Sequence, residues 1–129
     1  MNRLAALIGR ILVAVPFLAF GTMKLADFHG TVGYFAALKI PMTTAAVAAA
    51  IIIELLGGLC VVIGFKVRFW AWILFLYLIP VTFVAHNFWT HTGAARMDNE
   101  LHFIKNIAIM GGLLLLAAFG PGSLSADKR

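Results

Sequence analysis

Between Met42 and Phe65 lie 24 residues in which Glu54 is the only formally charged side chain. A carboxylate that deep in an apolar stretch must be paired, protonated or set against a polar cavity, and this makes Glu54 a functional candidate. The pattern recurs along the chain. Arg10 interrupts the apolar run Leu4 to Met23, His86 and Asn87 close the uncharged run Phe69 to Trp89, and Lys105 and Asn106 open the run Leu101 to Phe119. These residue types suit ion pairing, hydrogen bonding to a ligand oxygen, and proton transfer by an imidazole that titrates near neutrality.

Two groupings follow from depth along the helices. Arg10 lies about 9 Å and Glu54 about 18 Å from the same membrane side at 1.5 Å per residue, so the sequence predicts a buried Arg10–Glu54 ion pair. Such a pair could be chemical, or could only hold the fold in register. Lys24, His86, Asn87, His102, Lys105 and Asn106 all fall within the last two turns at the opposite, external side. They form a candidate donor cluster, although the two lysines equally suit snorkelling to headgroups, and His86 and Asn87 suit hydrogen bonding between helices.

The elements that carry these groups are set by composition. Of 129 residues, 63% are hydrophobic and 12% charged, and mean hydropathy is +1.01, outside the range of soluble domains. A bilayer core of about 30 Å takes about 20 helical residues. Four windows approach that length, at residues 4–24, 42–65, 69–90 and 102–119. The expected fold is all-α, a single integral membrane domain of four bundled helices spanning 1–129.

Arg10, Ala14, Phe17, Gly21 and Lys24 share one stripe that should face the bundle. Asp27 to Pro41, with Phe28, Tyr34 and Phe35, reads as a short interfacial helix. Ala45 to Ala50, Gly57 and Gly58 make the Glu54 face small, which allows close helix approach. Pro16 and Pro80 predict kinks, Thr82, His86 and Thr90 form a polar stripe, and Thr90 to Glu100 reads as a polar external loop.

The net charge of +5 resides in residues flanking apolar spans, where it signals topology and not nucleic-acid binding. Arg3, Arg10, Lys66, Arg68, Lys128 and Arg129 lie on one side, against Lys24, Lys39, Arg96 and Lys105 on the other, so both termini are expected in the cytoplasm. Arg10 breaks the first apolar run and no small-x-small site follows, so this run reads as a retained span and not a cleaved signal. The single cysteine, Cys60, excludes an internal dithiol. His29, His86, His91 and His102 show no paired spacing on one helix face, and His86 and His102 read as lying at different depths, so no metal or haem site is expected.

Several strings together resemble the DoxX family of bacterial membrane proteins: Phe17-x-x-x-Gly21-x-x-Lys24-Leu25, Glu54-x-x-Gly57-Gly58 followed by Gly64-x-x-x-Arg68, His86-Asn87-Phe88-Trp89, Phe103-x-Lys105-Asn106-x-Ala108-x-x-Gly111-Gly112-Leu113-Leu114, and Gly120-Pro121-Gly122. The resemblance implies a four-helix bundle in the bacterial inner membrane, similar to small subunits associated with thiosulfate:quinone oxidoreductase and to membrane partners of redox enzymes. On that basis the expectation is a redox-associated subunit with a quinone at the external cluster. His86, Asn87 and Lys105 would bond the quinone oxygens, with Phe88 and Trp89 stacking on the ring. The alternative is a non-catalytic scaffold or accessory subunit whose small-residue faces dock a partner or a second copy. A proton-coupled transporter using Glu54 is weaker, because paired broken helices are lacking.

Overall fold

The computed structural model describes residues 2–127; Lys128 and Arg129, used in the charge count above, lie outside the described residues. Five α-helices follow in order: α1 (Arg3–Ala26), α2 (Phe28–Ala37), α3 (Thr43–Ile63), α4 (Val67–Ala85) and α5 (Gly93–Phe119), with a 3-10 turn at Phe88–Thr90. Four of them are long and apolar enough to cross a membrane. The short α2 covers one end of the bundle; the first turns of α1 and the segment after α5 meet at the other. We call these the α2 end and the tail end.

Caps fix where the helices begin. Asn2 accepts from the amides of Leu4 and Ala5 at 3.0 and 3.3 Å, opening α1, and Asp27 accepts from Gly30 at 3.1 Å, opening α2. Pro16 and Pro80 lie inside α1 and α4, whose helical runs continue through them.

Small residues decide the packing of α1 on α3. A side chain at Gly21 would meet Leu55 at 2.8 Å and Glu54 at 3.1 Å, and one at Gly58 would meet Leu18 at 3.0 Å. Gly57 faces Trp70 and Leu74 of α4 in the same way. Backbones therefore approach closely where the sequence is smallest. The core consists of Ala14, Phe17, Val61, Ala71, Leu74, Leu78, Leu113 and Ala117. Ile8, Leu12, Ile52, Leu59, Leu76 and Leu115 are among the large apolar side chains on the outer surface, where the acyl chains of a bilayer would cover them.

The antiparallel register overturns the expected Arg10–Glu54 pair. Gly21, not Arg10, lies opposite Glu54, and Arg10 is eleven residues away, about 16 Å along the helix. The guanidinium instead turns to the tail end. It donates to the carbonyls of Val62 (3.2 and 3.1 Å), Pro121 (2.6 Å) and Leu124 (2.7 Å) and is only 2% exposed. These carbonyls lie at and beyond the C-termini of α3 and α5, where helical partners run out and the dipoles are negative. Arg68 does the same for Ala117 and Ala118 at 3.0 and 2.6 Å.

The tail completes this end. Ala126 and Asp127 donate their amides to Ile63 and Gly64 at 3.0 and 2.8 Å. The Asp127 carboxylate accepts from Lys66 and Val67 at 2.8 and 3.2 Å, capping the start of α4.

The polar loop expected over Thr90 to Glu100 is mostly helix, because α5 begins at Gly93. The segment Ala94-Ala95-Arg96-Met97-Asp98-Asn99-Glu100 is rich in helix formers, and a hydropathy window marks only the membrane-spanning part of such a helix.

Replacing Arg10 with Leu strands three backbone carbonyls. Unsatisfied buried groups cost about 1–3 kcal/mol each, so Arg10→Leu should lower unfolding free energy by about 3 kcal/mol or more in a denaturant titration of detergent-solubilised protein. Arg10→Lys should recover only part of this, since an ammonium lacks the forked geometry.

Candidate functional site

Glu54 is buried at 5% exposure on the small face of α3. Two other helices supply its partners. Lys24 of α1 reaches its carboxylate oxygens at 3.0 and 3.1 Å, and the Tyr77 hydroxyl of α4 donates to Oε1 at 2.7 Å. The carboxylate is thus neutralised once and hydrogen-bonded three times, which is what makes a buried acid tolerable. Tyr77 escaped the sequence reading. The available signal was a lone phenol within an apolar span, which needs an acceptor, and Glu54 is the acceptor it finds.

This triad borders a cavity of about 400 Å³, within the range of small-molecule sites. Its apolar wall includes Pro16, Phe17, Leu78, Pro80, Val81 and Ile109, and α2 with its following turn adds Tyr34, Phe35, Leu38 and Ile40. Its polar lining is Lys24, Glu54, Tyr77, His86, His102, Lys105 and Asn106. Both in-helix prolines therefore sit in the cavity wall.

Most of the expected external cluster comes together here. Lys105 Nζ donates to His102 Nδ1 at 3.1 Å, and His102 Nε2 lies 3.6 Å from Asp98. His86 Nδ1 is 3.3 Å from Asn99 Oδ1. The Asn99 amide nitrogen donates to Ala95 at 2.9 Å, so its oxygen is the acceptor and His86 Nδ1 carries the proton in this pairing. The His86 and His102 rings stack at 4.9 Å with planes 20° apart. They share one level, contrary to the different depths read from the sequence, because His86 caps α4 beside the part of α5 that had been expected to be only beginning. Asn106 is buried and donates to Thr82 at 3.2 Å.

Lys105 and Lys24 do not snorkel away from the bundle. Their ammonium groups both contact one aromatic ring, Phe20, at 4.6 and 5.8 Å from its centroid, in contacts that stabilise cations.

Three expected ligand contacts, Asn87, Phe88 and Trp89, are not brought to the cavity. Asn87 uses its carbonyl to accept from Thr90 at 3.0 and 2.9 Å, and does not line the cavity. Trp89, 50% exposed, packs with Phe83, Phe88 and Phe103 in an aromatic group outside it. The break in the helix after Ala85 turns this string away from the direction that continued helical spacing had implied. Among the described residues, no three His, Cys, Asp or Glu side chains are grouped to hold a metal ion, and Cys60 is a buried free thiol.

Removing Lys24 leaves the Glu54 charge with only the Tyr77 hydroxyl. Lys24→Met should therefore destabilise the bundle by about 3 kcal/mol or more, and adding Glu54→Gln should restore a large part of the loss. Unfolding titrations of the two single variants and the double variant test this. Strictly additive losses would mean the pair is not coupled.

The sequence profile of the DoxX family matches residues 5–87. The chain is 39% identical over 123 residues to inner membrane protein YphA of Escherichia coli K12, covering 95% of this chain and 88% of that protein. It is 34% identical over 128 residues to inner membrane protein YqjF of the same organism, covering 99% and 93%. A more distant similarity, 28% over 121 residues, is to the ER-derived vesicles protein ERV29 of Saccharomyces cerevisiae, covering 94% of this chain and 32% of that one. No solved structure matches the chain. With the profile spanning most of its length and two similar inner-membrane proteins covered nearly end to end, the chain belongs to the DoxX family.

Proposed function

We propose that this DoxX protein is a quinone-binding subunit of a redox assembly in the bacterial inner membrane, with the α2-end cavity as the quinone site. The observation that carries the reading is the mixed character of that cavity: apolar and aromatic walls on most of its surface, and in its lining a cluster of Lys105, His102 and His86 in mutual contact. A planar lipophilic ring with polar oxygens needs both, a dry slot for the ring and a few placed donors for the oxygens.

Phe17, Phe20 and Phe35 flank the ring in this reading, and Lys105 and His86 face its oxygens. A bound quinone would supply a two-electron, two-proton couple. The chain's own residues would orient it, exclude water and hold protons, and neighbouring histidines are suited to that last role. A single cysteine leaves the chain without a dithiol of its own, which favours a partner subunit as the source of electrons.

Titrating nanodisc-embedded protein with short-chain ubiquinone and with menadione should give saturable binding. His86→Ala and Lys105→Ala should each weaken it about tenfold, the loss of roughly one hydrogen bond to a charged or polar donor. Absent binding, or binding unchanged in both variants, overturns the reading and leaves the accessory or scaffold role.

We further infer that both termini face the cytoplasm, since Arg3, Arg10, Lys66, Arg68, Lys128 and Arg129 outnumber the four cations of the α2 side. A C-terminal green fluorescent protein fusion should fluoresce and a C-terminal alkaline phosphatase fusion should be inactive. The reverse pattern would invert the assignment.

A further inference from the structure

The cations and anions lining the cavity do not balance. On α1, Lys24 is matched by Glu54 of α3, at 3.0 Å, and the Tyr77 hydroxyl of α4 completes that group. On α5, Lys105 has no carboxylate within ion-pair distance among the described residues. Its contacts are the His102 imidazole at 3.1 Å and the Phe20 ring at 4.6 Å. His102 in turn leans on Asp98, whose side chain is 72% exposed, one helical turn farther out. His86, also in the wall, is held by Asn99, which carries no charge. A lone ammonium in the wall of a largely apolar cavity is a costly arrangement in a membrane protein unless something of opposite charge visits it.

We propose that the cavity is selective for a monoanionic amphiphile: a lipophilic body in the apolar part, with one negatively charged oxygen against the Lys105 ammonium. The inference rests on the cavity described above and not on the identity of the ring. Such an oxygen could belong to an acidic hydroxyquinone or to the carboxylate of a fatty acid, and both satisfy the same geometry. The apolar residues Leu78, Val81 and Ile109 take the body. The carboxylate of Glu54 does not repel the head, because Lys24 already neutralises it. An ammonium meeting an anion in a poorly solvated site interacts far more strongly than in water, and a neutral homologue of the same shape forgoes that gain.

The test compares two matched pairs of ligands in nanodiscs, each corrected for partitioning into empty discs: an alkyl-2-hydroxy-1,4-naphthoquinone against its 2-methoxy ether, and lauric acid against dodecanol. In at least one pair the anion should bind about tenfold or more tightly than its neutral partner, a difference of about 1.4 kcal/mol. Lys105→Gln should collapse that ratio to within about twofold, and Lys105→Arg should retain most of it. A preference confined to the first pair identifies the acidic ring as the ligand class; one confined to the second identifies a carboxylate lipid. Equal binding within both pairs, a ratio unchanged in Lys105→Gln, or no binding of any of the four ligands overturns the proposal. Neutral ubiquinone binding that fails while lauric acid shows the Lys105-dependent preference would remove the quinone reading alone.

Discussion

Glu54 is accommodated inside this bundle because two other helices bring its carboxylate partners, Lys24 at 3.0 Å and Tyr77 at 2.7 Å. Neither contact is local in sequence, so α1, α3 and α4 must adopt one register for the carboxylate to be satisfied. The small face of α3 makes that register reachable, since Gly21 lies against the very turn that carries Glu54. The acid, the cation and the close packing are therefore one arrangement, since the ion pair forms where Gly21 lets α1 meet the turn that carries Glu54. Polar pairing across close-packed membrane helices has this double role because hydrocarbon offers no competing solvent.

The two ends of the bundle use buried charge in opposite ways. At the tail end Arg10 spends its donors on three carbonyls, Arg68 covers two more, and Asp127 closes the first turn of α4. Every one of these contacts ends on backbone, which is the chemistry of finishing helices in a medium without water. At the α2 end the polar side chains meet one another and border open volume. That contrast separates a structural charge from candidates for ligand chemistry, although both types stand out equally in the sequence as polar residues in apolar runs.

Four helices of membrane-crossing length were legible from hydropathy, and the inward stripe of α1 was legible from spacing, because Arg10, Ala14, Phe17 and Gly21 are its buried residues. The short interfacial helix could be read from Phe28, Tyr34 and Phe35. The partner of Glu54 could not. Counting residues from a membrane edge gives depth only to within a turn or two, and it pointed to Arg10; the contact of Gly21 with Leu55 sets a register that brings Lys24 instead, and no single chain reveals interhelical register. The early start of α5 was hidden for a different reason: helix propensity continues past the point where hydropathy falls. Asn87 and Trp89 were placed by extending α4 through a break that becomes visible only once His86 is seen to end it.

Phe20 has a wider effect than its two contacts suggest. Two ammonium groups from different helices, Lys24 of α1 and Lys105 of α5, contact its ring at 5.8 and 4.6 Å, so this side chain links α1 to α5 at this level. Farther down, Gly112 lets Val13 come close and Arg10 ties α1 to the segment after α5. The two helices are thus joined at one extremity by the Arg10 hydrogen bond and at the other by a cation–π contact. Phe20 also lines the cavity, so an aliphatic side chain there would strip both ammonium groups of a π face at the edge of that space.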